Sequence, residues 1–112
     1  MMARDPLVLE QVKSALSQIS LLAPGNSVEL RVPPYAAIQC VAGPKHTRGT
    51  PANVVEMDAG SLLGLCAGTV DWADAIDDGR ISASGERSDL SELFNRLSAI
   101  FNQRVETHRM AE

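Results

Sequence analysis

Residues 61–101, SLLGLCAGTVDWADAIDDGRISASGERSDLSELFNRLSAIF, constrain this chain most, because nearly every helix start and stop in them carries its own marker. Gly68 closes a first helix, where a C-terminus favours a left-handed residue. Asp71 caps a second, with Asp74 near the open N–H groups of its first turn, and Gly79 stops it. The apolar face of that short helix is Trp72, Ala73, Ala75 and Ile76. Asp77 and Asp78 fall at its C-terminal end, where the helix dipole disfavours acid. Either the last turn frays or a cation stands nearby. Residues 80–86 alternate, with Ile81, Ala83 and Gly85 to one side and Ser82 and Ser84 to the other, which predicts a half-buried strand. Gly85 leaves room for another backbone to approach. Ser88 or Asp89 then caps a last helix, along which Leu90, Leu93, Phe94, Leu97, Ile100 and Phe101 recur at helical spacing. Side chains of this kind contribute roughly 1.5–3 kcal/mol each when buried, so this face is a main hydrophobic resource.

The preceding residues supply what this unit packs on. Asp5-Pro6 opens a helix with a cap and a proline at the first helical position. Val8, Val12, Ala15, Leu16, Ile19 and Leu22 share one face, and Pro24-Gly25 ends it. Residues 27–32 alternate, with Val28, Leu30 and Val32 inward and Glu29 and Arg31 outward. Pro33-Pro34 interrupts the pairing. Residues 35–41 resume as a strand too evenly apolar to assign an inner face, and residues 43–53 are a loop. Residues 54–57 form a third strand, and Asp58 starts the next helix. The order is α-β-β-β-α-α-β-α. Consecutive strands with tight connections favour antiparallel pairing, so the expectation is an α+β fold, an antiparallel sheet of about four to five strands with helices on one face.

The 112 residues suit a single domain, with a core over about 5–105. Apolar residues are 45% but aromatic residues only 4%, so the core is built from Leu, Ile, Val and Ala. A net charge of −4 without a basic block argues against nucleic acid as a partner. No apolar run approaches about 18 residues, so stable membrane insertion is not expected. MMARDPLVLEQ lacks the h-region of a signal peptide, which predicts a cytoplasmic protein with Cys40 and Cys66 as free thiols.

GTVDWADAIDDGRISASGERSDLSELF resembles the second half of the sterol carrier protein domain, the type-2 non-specific lipid-transfer class. Gly68, Ala75, Gly79, Arg80, Ile81, Ala83 and Gly85 match its pattern in order. RVPPYAAIQCVAGPKHTRGTPANVVEMD resembles a small bacterial branch of that superfamily, known mainly from actinobacteria and without an established activity. The resemblance covers most of residues 27–101. It implies an apolar tunnel between helices and sheet that takes fatty acids, fatty acyl thioesters or sterols and is closed in part by the final helix. The chain is shorter and poorer in aromatics than the larger members, which argues against a full-length sterol tunnel.

On that resemblance the expected cavity between last helix and sheet is lined by Leu62, Leu65, Trp72, Ile76, Ile81, Leu90, Leu93, Phe94, Leu97 and Phe101. The same positions also suit a filled core. Lys45, His46 and Arg48, among glycines and hydroxyls, have the parts of an anion or head-group site, and equally those of a solvated basic loop. Cys40 and His46 lack an orienting third residue, His46 and His108 lack metal spacing, and the aspartates at 71, 74, 77 and 78 lack a calcium-loop pattern. The expectation is a non-catalytic carrier of a lipid or fatty acyl ligand, without metal or cofactor. The alternative is a protein-interaction or homodimerisation module without a ligand cavity, of a kind also found with thiol-dependent enzymes.

Overall fold

The computed structural model describes residues 4–44 and 53–111, with side chains through residue 105. Its elements are α1 (Pro6–Leu22), β1 (Val28–Val32), β2 (Ala36–Cys40), β3 (Asn53–Met57), α2 (Ala59–Ala67), α3 (Trp72–Asp77), β4 (Ile81–Ser84) and α4 (Ser91–Ala111). This is the expected order, and the local punctuation acts as the sequence predicts. The Asp5 carboxylate accepts from the N–H groups of Leu7 and Val8, with Pro6 in the first turn. Asp58 accepts from Ser61 N at 2.7 Å, and Asp71 from Asp74 N at 3.1 Å. Gly68 ends α2 at φ 83°, the left-handed region where a Cβ is costly. At the start of α4, Asp89 Oδ1 accepts from Ser91 N at 2.9 Å, whereas Ser88 Oγ turns back to donate to Gly85 O. Of the two candidate caps it is therefore Asp89 that meets the helix.

The sheet is mixed, in the order β2-β1-β3-β4. β1 pairs antiparallel with β2 and β3 with β4, but β1 and β3 run parallel, Leu30 beside Val55. This corrects the expectation of an all-antiparallel sheet. β2 ends and β3 begins at the same end of the sheet, Cys40 and Asn53 both beside Val28, so β3 enters on the other side of β1 instead of folding back on β2. One face of the sheet is apolar. Val28, Leu30, Val32, Cys40, Val55, Met57 and Ile81 are buried there, and Ala36 and Ile38 join them through their register with Val32 and Leu30. The other face carries Arg31, Gln39, Glu56, Ser82 and Ser84 toward solvent. Register thus assigns β2 the inner face that its own residues left open. β4 lies at the sheet edge and buries only Ile81; Ala83 is exposed.

Side-chain and backbone hydrogen bonds lock the segments between elements. Ser27 N and Ser27 Oγ both donate to Val41 O, at 3.1 and 2.7 Å, while Val41 N donates to Ala23 O. The end of β2 is thereby clamped to the turn between α1 and β1. Gly25, at φ 146°, passes so close to Val41 that a Cβ would meet its carbonyl. Asn53 Nδ2 donates to Ser27 O at 2.8 Å and Asn53 Oδ1 accepts from Arg87 N at 3.0 Å. Gly85 makes the close approach expected of it, against Asn53.

The helices cover the apolar face. Val12, Ala15, Leu16 and Ile19 of α1 enter the core with Leu62 and Leu65 of α2, Ala75 of α3, and Leu90, Leu93, Phe94 and Leu97 at the start of α4. Ala73, expected on the apolar face of α3, is exposed. Asp78 lies beside Arg80, whose Nε is 2.8 Å from Asp78 Oδ2. The Arg80 guanidinium holds the Asp78 carboxyl below its ordinary range and resolves the conflict of acid at a helix C-terminus.

Candidate functional site

The ten apolar positions expected to line a cavity are divided by the structure. Leu62, Leu65, Ile81, Leu90, Leu93, Phe94 and Leu97 are buried in one continuous core, and Trp72 and Ile76 pack against it half-buried. Phe101 is 47% exposed, and Ile100, expected on the same face, is 36% exposed. The reason is length. The 21 residues of α4 make a helix of about 31 Å, whereas the 9 residues of α2, its main neighbour, reach about 14 Å. The apolar stripe of α4 continues past the elements that cover its first turns.

The stripe does not end in open solvent. Leu97 and Phe101 form one wall of a groove of about 330 Å³, open along one side. Leu63, Cys66 and Ala67 of α2 form its floor, and Gln11, Ser14, Ala15 and Gln18 of α1 the opposite wall. Such a volume falls at the lower end of ligand-binding sites. The α1 wall follows from helical periodicity. Positions 11, 14, 15 and 18 share a stripe beside the core face of Val12, Leu16 and Ile19. Only Leu97 and Phe101 of the expected cavity residues line this groove. Leu63, Cys66, Ala67 and the α1 residues are not among the cavity positions expected from sequence. The signal was present in the second stripe of α1, small and uncharged where a solvated face is usually charged.

Cys66 lies half-buried in the groove, and burial pushes its thiol up to about 11. Cys40 is fully buried beneath the sheet, and burial raises its thiol to about 11 as well. Both are free thiols, protonated at neutral pH and poor nucleophiles.

Two other depressions lie elsewhere on the surface. One of about 280 Å³ lies where α2, α3 and α4 meet, lined by Leu65, Asp71, Trp72, Asp74, Phe94 and Ser98 among others. Trp72 stacks there on Phe94, ring centroids 6.0 Å apart. The second, about 570 Å³ and more open, runs from Pro33-Pro34 past Glu56 and Asp58 to the Asp78–Arg80 pair. Leu62, Ile76, Ile81, Leu90 and Leu93 line none of these three hollows. Lys45, His46 and Arg48, the expected head-group residues, lie outside the described residues. Among the described residues no three His, Cys, Asp or Glu side chains are grouped to hold a metal ion, and no helix is long and apolar enough to cross a membrane.

No curated protein matches the chain. A family model described as bacterial SCP ortholog matches residues 5–95, from the cap of α1 into the first turns of α4. With most of its length matched, and with the α+β order the resemblance implied, the chain belongs to this bacterial family of sterol carrier protein relatives.

Proposed function

We propose that this protein is a small carrier of a lipid or fatty acyl ligand, acting without catalysis, and that the groove between α1, α2 and α4 is where the apolar part of that ligand lies. Family membership supports the ligand class. The observation that carries the site is Phe101, a large apolar residue half-exposed on the groove wall while Leu97, one turn earlier, is covered. An acyl chain laid there covers Phe101 and gains roughly 0.8 kcal/mol for each CH₂ removed from water. Leu62, Leu65, Trp72, Ile76, Ile81, Leu90, Leu93 and Phe94 line the ligand only if the core between helices and sheet opens to admit it. In the closed form they pack on one another.

The test is mass spectrometry of the purified protein under native and then denaturing conditions, with organic extraction of what is released. A stoichiometric fatty acid, acyl thioester or sterol is expected. Phe101→Glu should abolish it while leaving the melting temperature of the unliganded protein nearly unchanged, since the side chain is already half in solvent. A clean unliganded mass, together with no rise in melting temperature across a panel of the same three ligand classes, overturns the carrier reading.

The second reading is an interaction or homodimerisation module, favoured by Ile100, Phe101 and Val105 exposed together on the distal half of α4. It predicts elution at twice the monomer mass without lipid, and return to the monomer on Phe101→Glu.

A further inference from the structure

We infer that the groove between α1, α2 and α4 selects a ligand whose polar end is uncharged, such as an alcohol, an amide or an ester, over one that ends in a carboxylate. This rests on the carrier reading and specifies its ligand. The polar groups on the groove wall are Gln11, Ser14 and Gln18, one carboxamide, one hydroxyl and one carboxamide along a single stripe of α1. Among the described residues, every other lining residue is apolar or a protonated thiol. The charged residues that flank the lining positions along α1 and α4 include Glu10, Lys13, Arg96 and Arg104. All four are exposed, and none lines the groove.

A carboxamide donates through its NH₂ and accepts through its oxygen, and a hydroxyl does both. Together they match a neutral group that offers a donor, an acceptor or both. A carboxylate only accepts, and it needs either a cation or full hydration to leave water without loss. The described lining supplies no cation, so a carboxylate drawn into it loses hydration that the amides repay in part, whereas a neutral end exchanges like for like.

The experiment compares dodecanol, dodecanamide and dodecanoic acid, which share one chain, by calorimetric titration of the full-length protein at about pH 7.5, where the acid is ionised. The expected result is that the two neutral probes bind at least roughly tenfold more tightly than the acid, a difference of about 1.4 kcal/mol. Gln18→Lys, which places a cation on the wall at an exposed position, should narrow or reverse that preference. Gln11→Leu with Gln18→Leu should weaken dodecanol and dodecanamide, whose polar ends lose their hydrogen-bond partners on the wall. Equal or tighter binding of dodecanoic acid to the wild type overturns the inference and leaves the carrier reading standing; it would direct attention to Lys45, His46 and Arg48. Undiminished binding of both neutral probes to the double Gln variant also overturns it, because their polar ends then lie elsewhere. Failure of all three probes to bind overturns the inference, and the carrier reading with it once the acyl thioester and sterol of the panel also fail.

Discussion

Leu97 and Phe101 stand one turn apart on the same stripe of α4, yet Leu97 is 5% exposed and Phe101 47%. α2 ends between them in effect, so one side chain completes the core and the other is left for whatever enters the groove.

The two positions should therefore respond differently to truncation. Leu97→Ala is expected to cost about 2–5 kcal/mol, as buried leucines do, and Phe101→Ala below about 1 kcal/mol. Urea denaturation of the unliganded protein measures both. Ligand affinity should fall in both variants, and in Phe101→Ala without loss of fold. Equal destabilisation by the two substitutions would mean that Phe101 is packed in solution and not available to a ligand.

Cys66 provides a reporter of the same groove. Burial holds its thiol near 11 against an ordinary 9.0, so disulfide reagents should react slowly with the native protein at neutral pH and faster as pH climbs toward 11. A bound acyl chain should slow Cys66 further and leave the rate of fully buried Cys40 unchanged, as read by mass spectrometry of the labelled peptides. The linkage has a definite sign. Both thiols bind protons more tightly folded than unfolded, so stability present below about pH 9 declines between about pH 9 and 11.

Asp89 should matter to stability in the acid range. Its hydrogen bonds from the backbone N–H and side chain of Ser91 hold its carboxyl below the ordinary 3.8. The contribution is thus present above that value and is lost as pH falls through it toward the lower native value. Asp89→Ala should destabilise by about 0.5–2 kcal/mol at neutral pH, and the difference from wild type should shrink on acidification. A difference constant down to pH values near 2 would show that the carboxylate is not what caps α4.

Gly25→Ala tests the clamp between α1 and β2. A Cβ there would meet the Val41 carbonyl at a backbone angle of φ 146°, a region nearly closed to side chains. Loss of more than about 1 kcal/mol is expected, against a small gain for the same change at an unconstrained glycine. Ser27→Ala, which removes one of the two donors to Val41 O but keeps the other, should cost about 0.5–1.5 kcal/mol. Thermal denaturation that ranked Ser27→Ala as the more severe would show that Gly25 relaxes away from Val41.

Element boundaries were legible in this sequence because their causes are local. Asp5, Asp58 and Asp71 cap helices with carboxylates that reach two or three residues along the chain, and Gly68 ends a helix through its own φ. Alternation likewise gave the inner face of β1, since Val28, Leu30 and Val32 sit two residues apart. The family resemblance rested on Gly68, Ala75, Gly79, Arg80, Ile81, Ala83 and Gly85 in order. What only the tertiary structure decided depends on residues far apart in sequence. The parallel pairing of β3 with β1 turns on the path of the chain after β2, and the inner face of β2 on its register with β1. The site turned on relative lengths. Periodicity gave Leu90, Leu93, Phe94, Leu97, Ile100 and Phe101 equal standing on one helix face, and nothing in that pattern states where α2 stops covering it. The groove is lined by residues of α1, α2 and α4 that lie far apart in sequence, a juxtaposition settled only when the elements pack.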